Sequence, residues 1–335
     1  MTKVLTNSHG LRIAVACLAL CGWPARNSAA DNATTKPAEE LYLQLGKVGL
    51  DPSRVYQVRG ASIERPTIHI TLEDGTIGFT QDVMGRVTGA FFEGYGEVLL
   101  MPPSEVERRS MALFTGMAIL EERFATAYFR FNEDVMNELR PDLRATENKQ
   151  EFVDKWQSTV RNLGSGDAMR LLSTFSQMLP ARGTESSGTS QVDPSDRFLH
   201  ARVQGLKLGV FDVYYDSTAS EQVQAGQPKP AGNGETFYDV WTSFSPSVAR
   251  SGGDRVQPAP EEKSRRDRIA IQSYNITTEV VPPKQIHARA RLACAVREGG
   301  SRILIFELSR ALQVESVTLN NEPVEFIHNP SLEGT

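Results

Sequence analysis

The first part of the chain alternates apolar and polar residues, the pattern of half-buried β-strands. Residues 67–72 alternate strictly, and the Asp-Gly hairpin signal at 73–76 predicts a turn followed by a return strand. A second turn is predicted at the Gly-Tyr-Gly stretch, residues 94–96. Residues 55–102 are therefore expected to form an antiparallel β-meander.

The period changes at Ser104, where three- and four-residue steps replace the alternation. Ser104 and Glu107 match a capping box, in which each side chain satisfies a free amide at the start of a helix. The spacing predicts one long amphipathic helix whose buried face is Met111, Phe114, Met117, Ala118, Glu121, Phe124, Ala125 and Tyr128. A second helix is predicted at 146–163, and a third runs from Asp167, as N-cap, to Leu179.

Two polar, proline-containing stretches at 181–196 and 245–266 divide the rest of the chain. Long strands are predicted between them at 198–215 and 235–244. Further strands then recur about every ten residues, which favours an antiparallel sandwich. They are expected at 269–280, 286–296, 303–308, 314–319 and 324–327.

These patterns predict an α+β multidomain protein. An antiparallel β-meander plus a helical bundle is followed by β-rich segments and an incomplete antiparallel β-sandwich. The expected division is a signal peptide at 1–30, an α+β accessory domain at 31–180 with the meander at 55–102 and helices at 104–179, a β-rich segment at 197–244 and the start of a sandwich at 267–335.

The N-terminus has the pattern of a secretory signal. Lys3 and Arg12 precede an apolar run at 13–21, and small residues follow at 28–30. The run is shorter than the roughly 20 residues that a spanning helix needs, so a transmembrane anchor is the weaker interpretation. Cleavage after Ala30 would give a secreted or periplasmic protein with no stable membrane span.

Composition narrows the function classes. Among 335 residues, 36 Lys and Arg stand against 41 Asp and Glu, a formal net charge of −5, whereas nucleic-acid binders show the opposite balance. Nucleic acid is therefore not an expected partner. Cys17 and Cys21 leave with the signal, so Cys294 can form no internal disulfide and is expected to be a buried strand residue.

The polar residues show no complete catalytic pattern. The histidines beyond residue 30 are His69, His200, His287 and His328; none belongs to an H-E-x-x-H motif, and each is expected at a half-exposed strand position. The adjacent carboxylates at 121–122 and at 133–134 are expected on solvated helix faces, because neighbours on a helix point apart. No catalytic, cofactor-binding or metal-binding residue is assigned.

Segments of the C-terminal block resemble the aminopeptidase-N-like zinc metallopeptidases, or gluzincins. Residues 273–280 resemble the opening strand of that family's sandwich, and residues 288–292 resemble the next strand. The best match is 302–317, with its L-x-V-x-S-V ending, and residues 324–328 resemble the strand that follows. Upstream, residues 238–244 resemble a segment of bacterial members with extra N-terminal domains.

The resemblance implies an accessory region plus the start of the N-terminal β-sandwich of such a peptidase. In that family the sandwich precedes a thermolysin-like catalytic domain that carries H-E-x-x-H, a motif missing from this sequence. The chain is therefore expected to be inactive alone, with zinc only in the missing catalytic domain. Its implied partners are peptides or proteins, bound through the full-length enzyme.

The alternative is a free-standing periplasmic binding or scaffold module. It would use aromatic side chains on the sheet surfaces, although burial in the core is the favoured interpretation for them. The residues concerned are Phe91, Phe92, Tyr95, Tyr214, Tyr215 and Trp241.

Overall fold

A computed structural model describes residues 11–16, 36–180, 196–230, 236–246, 269–283, 285–297, 299–309 and 312–328. The chain divides into two compact units, one of residues 1–252 with 302–335 and one of residues 253–301. The predicted linkers fall largely outside the described residues.

In the described residues the α-helices all lie between residues 37 and 174, and every element from residue 198 onward is a strand. In chain order they are β1 (Leu11–Ala16), α1 (Pro37–Gly46), β2 (Leu50–Arg65), β3 (Ile68–Thr80), β4 (Gly89–Leu100), α2 (Glu105–Thr115), β5 (Leu120–Phe131), α3 (Val135–Leu139), β6 (Leu143–Ala145), α4 (Lys149–Gly164), α5 (Ala168–Thr174), β7 (Phe198–Gly205), β8 (Gly209–Asp216), β9 (Val223–Pro230), β10 (Thr236–Phe244), β11 (Ile269–Val281), β12 (Gln285–Val296), β13 (Ile303–Leu308), β14 (Thr318–Leu319), β15 (Glu322–Pro323) and β16 (Phe326–His328).

Nine strands of the first unit form one antiparallel sheet in the order β10-β9-β8-β7-β5-β4-β3-β2-β6. Six of the eight neighbouring pairs in this sheet are consecutive strands of the chain, and α2 lies between one of these pairs, β4 and β5. The α+β class with a large antiparallel sheet is confirmed. None of the described helices is long and apolar enough to cross a membrane.

One face of this sheet carries the largest hydrophobic core. Buried side chains from every strand of this sheet except β6 belong to a single cluster, which also includes Met111 of α2 and Leu139 of α3. Nine flat strands would be about 40 Å wide, far more than these two short helices can cover.

The opposite face packs against α1, α4 and α5 and is more polar. Phe91 of β4 stacks on Trp156 of α4 with ring centroids 4.3 Å apart. The indole Nε1 of Trp156 donates a hydrogen bond of 2.9 Å to Glu93, which also pairs with Lys155. These contacts fix α4, predicted at 146–163, across the sheet.

The two hairpin turns predicted inside the meander are not turns. β3 and β4 run through residues 73–76 and 94–96, with register shifts at both places. Gly75 and Gly94 are cross-strand partners, and a side chain on Gly75 would collide with the backbone of Glu93 and Gly94. The glycines therefore allow two bulged strands to approach closely. The first turn falls instead at Thr67, whose φ is 66°.

The long helix predicted from Ser104 to Tyr128 is also corrected. α2 ends at Thr115, where Gly116 adopts a left-handed φ of 75°, and residues 120–131 form β5. Phe124 and Tyr128 are four residues apart, a spacing that fits both a helix face and a strand face. Ser104 occupies the N-cap position, but its side chain makes no capping hydrogen bond.

Further strands are divided differently from the prediction. Residues 198–215 form two strands, β7 and β8, and β9 is an additional strand between the two predicted ones. β13 has its predicted bounds, whereas the strands expected at 314–319 and 324–327 shrink to β14 and β16. Residues 11–16, within the predicted signal, form β1, the middle strand of the sheet β13-β1-β16. Cleavage of the signal stays a prediction.

The second unit contains the hairpin of β11 and β12, which pair from Ile269 with Val296 to Val281 with Gln285. A bulge lies between Ile271 and Ser273. Both strands were predicted, at 269–280 and 286–296, and their two-residue periodicity gives the hairpin two chemically different faces.

Candidate functional site

The strongest concentration of buried charge surrounds His200 on β7. Its Nδ1 lies 2.6 Å from Asp167 Oδ2, and its Nε2 lies 3.1 Å from Asp212 Oδ1. The half-exposed position expected for this histidine is wrong, since only 4% of the residue is exposed. With a carboxylate at each ring nitrogen, both nitrogens donate and the ring is an imidazolium.

Two elements bring the carboxylates to the ring. Asp167 is the N-cap residue of α5, as predicted, but it makes no capping hydrogen bond and its carboxylate contacts His200 instead. Asp212 stands on β8 opposite Arg202 of β7, which donates to both of its oxygens at 2.6 and 2.9 Å. Asp212 therefore accepts hydrogen bonds from two cations, His200 and Arg202.

The charges decide the protonation state of the network. Burial lowers the pKa of His200, but the charge and hydrogen bond of Asp167, followed by Asp212, outweigh it and raise the pKa to about 9. Burial raises the pKa of Asp212, and the hydrogen bonds from Arg202 and His200 more than reverse this, so the pKa is lowered. The imidazolium and the carboxylate of Asp212 are the stable forms near neutral pH.

A second buried ion cluster ties α5 to the same sheet. Arg170 of α5 donates from Nε to Asp216 Oδ2 at 2.5 Å and from Nη2 to Asp196 Oδ1 at 2.6 Å. Its guanidinium also lies over the ring of Phe198, 5.2 Å from the centroid. Burial lowers the pKa of Arg170, but the hydrogen bonds and charges of Asp216 and Asp196 outweigh it and raise the pKa, so the guanidinium stays charged and attaches α5 to the sheet.

Arg130, beside His200 on the neighbouring strand, is fully buried and has no carboxylate within ion-pair distance in the described parts of the chain. It donates to the carbonyl oxygen of Leu45 at 3.1 Å, in the last turn of α1. A helix C-terminus carries partial negative charge, so α1 supplies part of the missing compensation. Tyr128, 3.5 Å from Arg130 Nη1, is buried, which raises the pKa of its hydroxyl to about 12.

The geometry of this network suits a structural contact between α5 and the sheet rather than proton transfer. A general base needs a ring nitrogen free to accept a proton from a substrate, and both nitrogens of His200 are occupied. Tyr214 stacks on the ring with centroids 4.0 Å apart. The geometry therefore gives His200 a structural role, which is to join α5, β7 and β8.

Sequence reasoning missed this network because its members are 33 and 12 residues apart along the chain. A signal was present in β7 and β8. His200 and Arg202 alternate with apolar residues, as do Asp212, Tyr214 and Asp216. Two neighbouring strands with charges of opposite sign on one face indicate cross-strand ion pairs.

The predicted carboxylate pairs do not lie on helix faces. Glu121 and Glu122 belong to β5, and buried Glu122 accepts backbone hydrogen bonds from Lys207 and Leu208 at 2.5 and 3.1 Å. A cleft of about 320 Å³ adjoins it, lined by Glu97, Glu121, Glu122, Arg123, Leu206 and Lys207. The bonds to the β7–β8 turn give Glu122 a structural role.

The structure also places the second carboxylate pair, Glu133 and Asp134, and the other three histidines. Glu133 binds Arg65 at 2.6 Å and Arg197 at 2.5 Å, and Asp134 caps α3. His69, His287 and His328 lie on β3, β12 and β16, strands as expected.

The hairpin of the second unit presents an uncovered apolar face. Val280, Ile276 and Tyr274 are 66, 61 and 61% exposed, far above the values for core residues. Their cross-strand partners Ile286, Ala290 and Leu292 share this face. The complete apolar face is Ile269, Ile271, Tyr274, Ile276, Thr278, Val280, Ile286, Ala288, Ala290, Leu292, Cys294 and Val296.

The other face of the hairpin is polar, with Glu279 opposite His287 and with Arg289 and Arg291 farther along β12. Cys294 was expected to be buried, but it is exposed. The reason is that it belongs to the uncovered face.

Among the residues that the structure describes, no three His, Cys, Asp or Glu side chains are arranged to hold a metal ion. The zinc that the resemblance implies has no donor set in these parts of the chain. Comparison with family models, curated proteins and solved structures found no match.

Proposed function

We propose that the chain is the non-catalytic N-terminal region of an exported aminopeptidase-N-like metallopeptidase, in which the β11–β12 hairpin belongs to a β-sandwich completed by further strands. The observation that carries this proposal is the uncovered apolar face of the hairpin. The segments at 273–280 and 288–292, which resemble that family, fall on its two strands.

The physical basis is the cost of exposing this face to water. Twelve residues of strand span about 40 Å, and one side of both strands is almost wholly apolar. A two-stranded hairpin is marginal by itself and becomes stable when its apolar face packs on another layer. Large exposed apolar patches mark interaction surfaces.

In the family that the chain resembles, the sandwich packs against the catalytic domain. The role proposed for this region is therefore to support that domain and to help wall the peptide site. Zinc binding and peptide hydrolysis would belong to the catalytic domain.

The test extends the chain by the reading frame that follows codon 335. An open frame encoding H-E-x-x-H, whose product hydrolyses an aminoacyl chromogenic substrate in a zinc-dependent way, is expected. Hydrogen exchange at Tyr274 and Ile276 should then be at least tenfold slower than in the 335-residue chain, because packing covers their strand. A stop codon directly after Thr335 in the transcript would contradict the proposal.

The free-standing binding module has less support from the aromatic side chains named for it. Phe91, Phe92, Tyr215 and Trp241 are buried in the core, Tyr214 is half-buried against His200, and Tyr95 is exposed. A single exposed tyrosine does not make an aromatic binding surface.

A further inference from the structure

The three-stranded sheet of the first unit depends on its middle strand. All six residues of β1 pair with β13, from Leu11 with Leu308 to Ala16 with Ile303. On its other side β1 pairs with β16, from Ile13 with His328 to Val15 with Phe326. Because both pairings are antiparallel, β13 and β16 run parallel to each other, separated by one strand position.

β13 and β16 are attached to the helices without the help of β1. Ile303 and Ile327 are buried in the cluster that α1 and α5 form. Ser176 Oγ accepts hydrogen bonds from the backbone N–H groups of Arg302 and Ile303 at 2.6 and 3.0 Å. Glu325 Oε1 accepts one of 2.8 Å from the N–H of Glu39, at the start of α1.

Removal of the signal would therefore empty a position between two anchored strands. Strands separated by one position are about 9.6 Å apart, too far to form hydrogen bonds with each other. The inner N–H and C=O groups of β13 and β16 would then lack partners, a template for pairing with another chain.

We propose that in the processed protein the β1 position accepts an extended, mainly apolar segment of a partner polypeptide, which adds a strand antiparallel to β13. This rests on the export included in the proposed function. Backbone hydrogen bonds would supply affinity, as in other β-strand addition. Six residues fit the pairing with β13, and the partly buried Ile305, Phe306 and Phe326 favour apolar side chains.

The test uses the chain from Asp31 to Thr335 and a synthetic peptide of residues 10–16, Gly-Leu-Arg-Ile-Ala-Val-Ala. Saturating peptide should slow hydrogen exchange in β13 at least tenfold. The uncleaved chain, whose β1 position is filled, should bind the labelled peptide at least tenfold more weakly. A matched peptide with Ile13→Pro and Val15→Pro should have no effect, because proline donates no backbone hydrogen bond.

Protection of the β7 amides reports folding in the same experiment. Unchanged exchange in β13 at saturating peptide, with β7 protected, would overturn the proposal. Filling of the position by a second copy, seen as a dimer in which β13 is protected without peptide, would overturn it too. Export is tested separately, by mass spectrometry of the exported protein's N-terminus, so the two failures are distinguishable.

Discussion

The surroundings of His200 and the β11–β12 hairpin both depart from the usual rule that charged residues are exposed and apolar residues are buried, and they depart from it in opposite ways. Around His200, charges are buried, while along the hairpin, isoleucine, valine and tyrosine are exposed. The first arrangement is stable because each ring nitrogen and both oxygens of Asp212 have a partner. Among the described residues of its unit, nothing covers the apolar face of the hairpin. Buried charges with a full set of partners therefore indicate contacts that are complete within the chain. An exposed apolar surface indicates contacts that still need a partner.

The largest loss of stability should come from disrupting the His200 network. Asp212→Asn removes the carboxylate that serves His200 and Arg202, and leaving buried cations uncompensated costs about 3 kcal/mol or more. Urea unfolding should show this loss. The matched control is Glu105→Gln, which breaks an exposed i,i+4 pair with Arg109 and should cost less than about 1 kcal/mol. Equal losses in the two variants would contradict the assigned role.

The pH dependence of stability gives a second test of the same region. The pKa of His200 is raised to about 9 in the folded chain, against 6.5 for an unperturbed histidine. Its contribution to stability is fully present below pH 6.5 and is lost as the pH rises to 9, a decrease of up to about 3 kcal/mol. Denaturation curves across this range should show the decrease. His200→Gln should flatten it, and an unchanged slope in that variant would assign the decrease to other groups.

The smallest of these effects should come from the hairpin. Ile276→Lys places a charge on the uncovered face, whereas Thr277→Lys places the same charge on the polar face. Light scattering should show self-association of the wild type and of Thr277→Lys. Ile276→Lys should need at least a tenfold higher concentration, about 1.4 kcal/mol. Identical behaviour of the two variants would mean that this face does not drive association.

The fold could be predicted from the sequence where one period dominates. The hairpin strands follow from alternation, β13 follows from a short apolar run, and α4 follows from its helical spacing. The segment after Gly116 was misassigned because Phe124 and Tyr128 satisfy both periods. The glycines at 75 and 94 were read as turns because single-sequence patterns do not distinguish a turn from a bulge between long strands.

The His200 network could be predicted only in part. The opposite charges on β7 and β8 indicate cross-strand pairs such as Arg202 with Asp212. The contact with Asp167, 33 residues away, depends on how α5 packs on the sheet, which residues close to His200 along the chain do not encode. Asp167 was correctly assigned as an N-cap residue, but local propensity cannot show that its carboxylate is used across the sheet.

The contact of Asp167 with His200 also governs how this region opens. An ordinary N-cap can fray with the first turn of its helix, but at α5 fraying must separate the carboxylate from a buried imidazolium. Local opening of α5 therefore exposes the charged ring of His200, which also contacts β8. Because of this shared ring, the helix and both strands are expected to open as one cooperative unit. Amides of the three elements should exchange with a common free energy of opening. This free energy should decrease by the same amount in all three elements as the pH approaches 9.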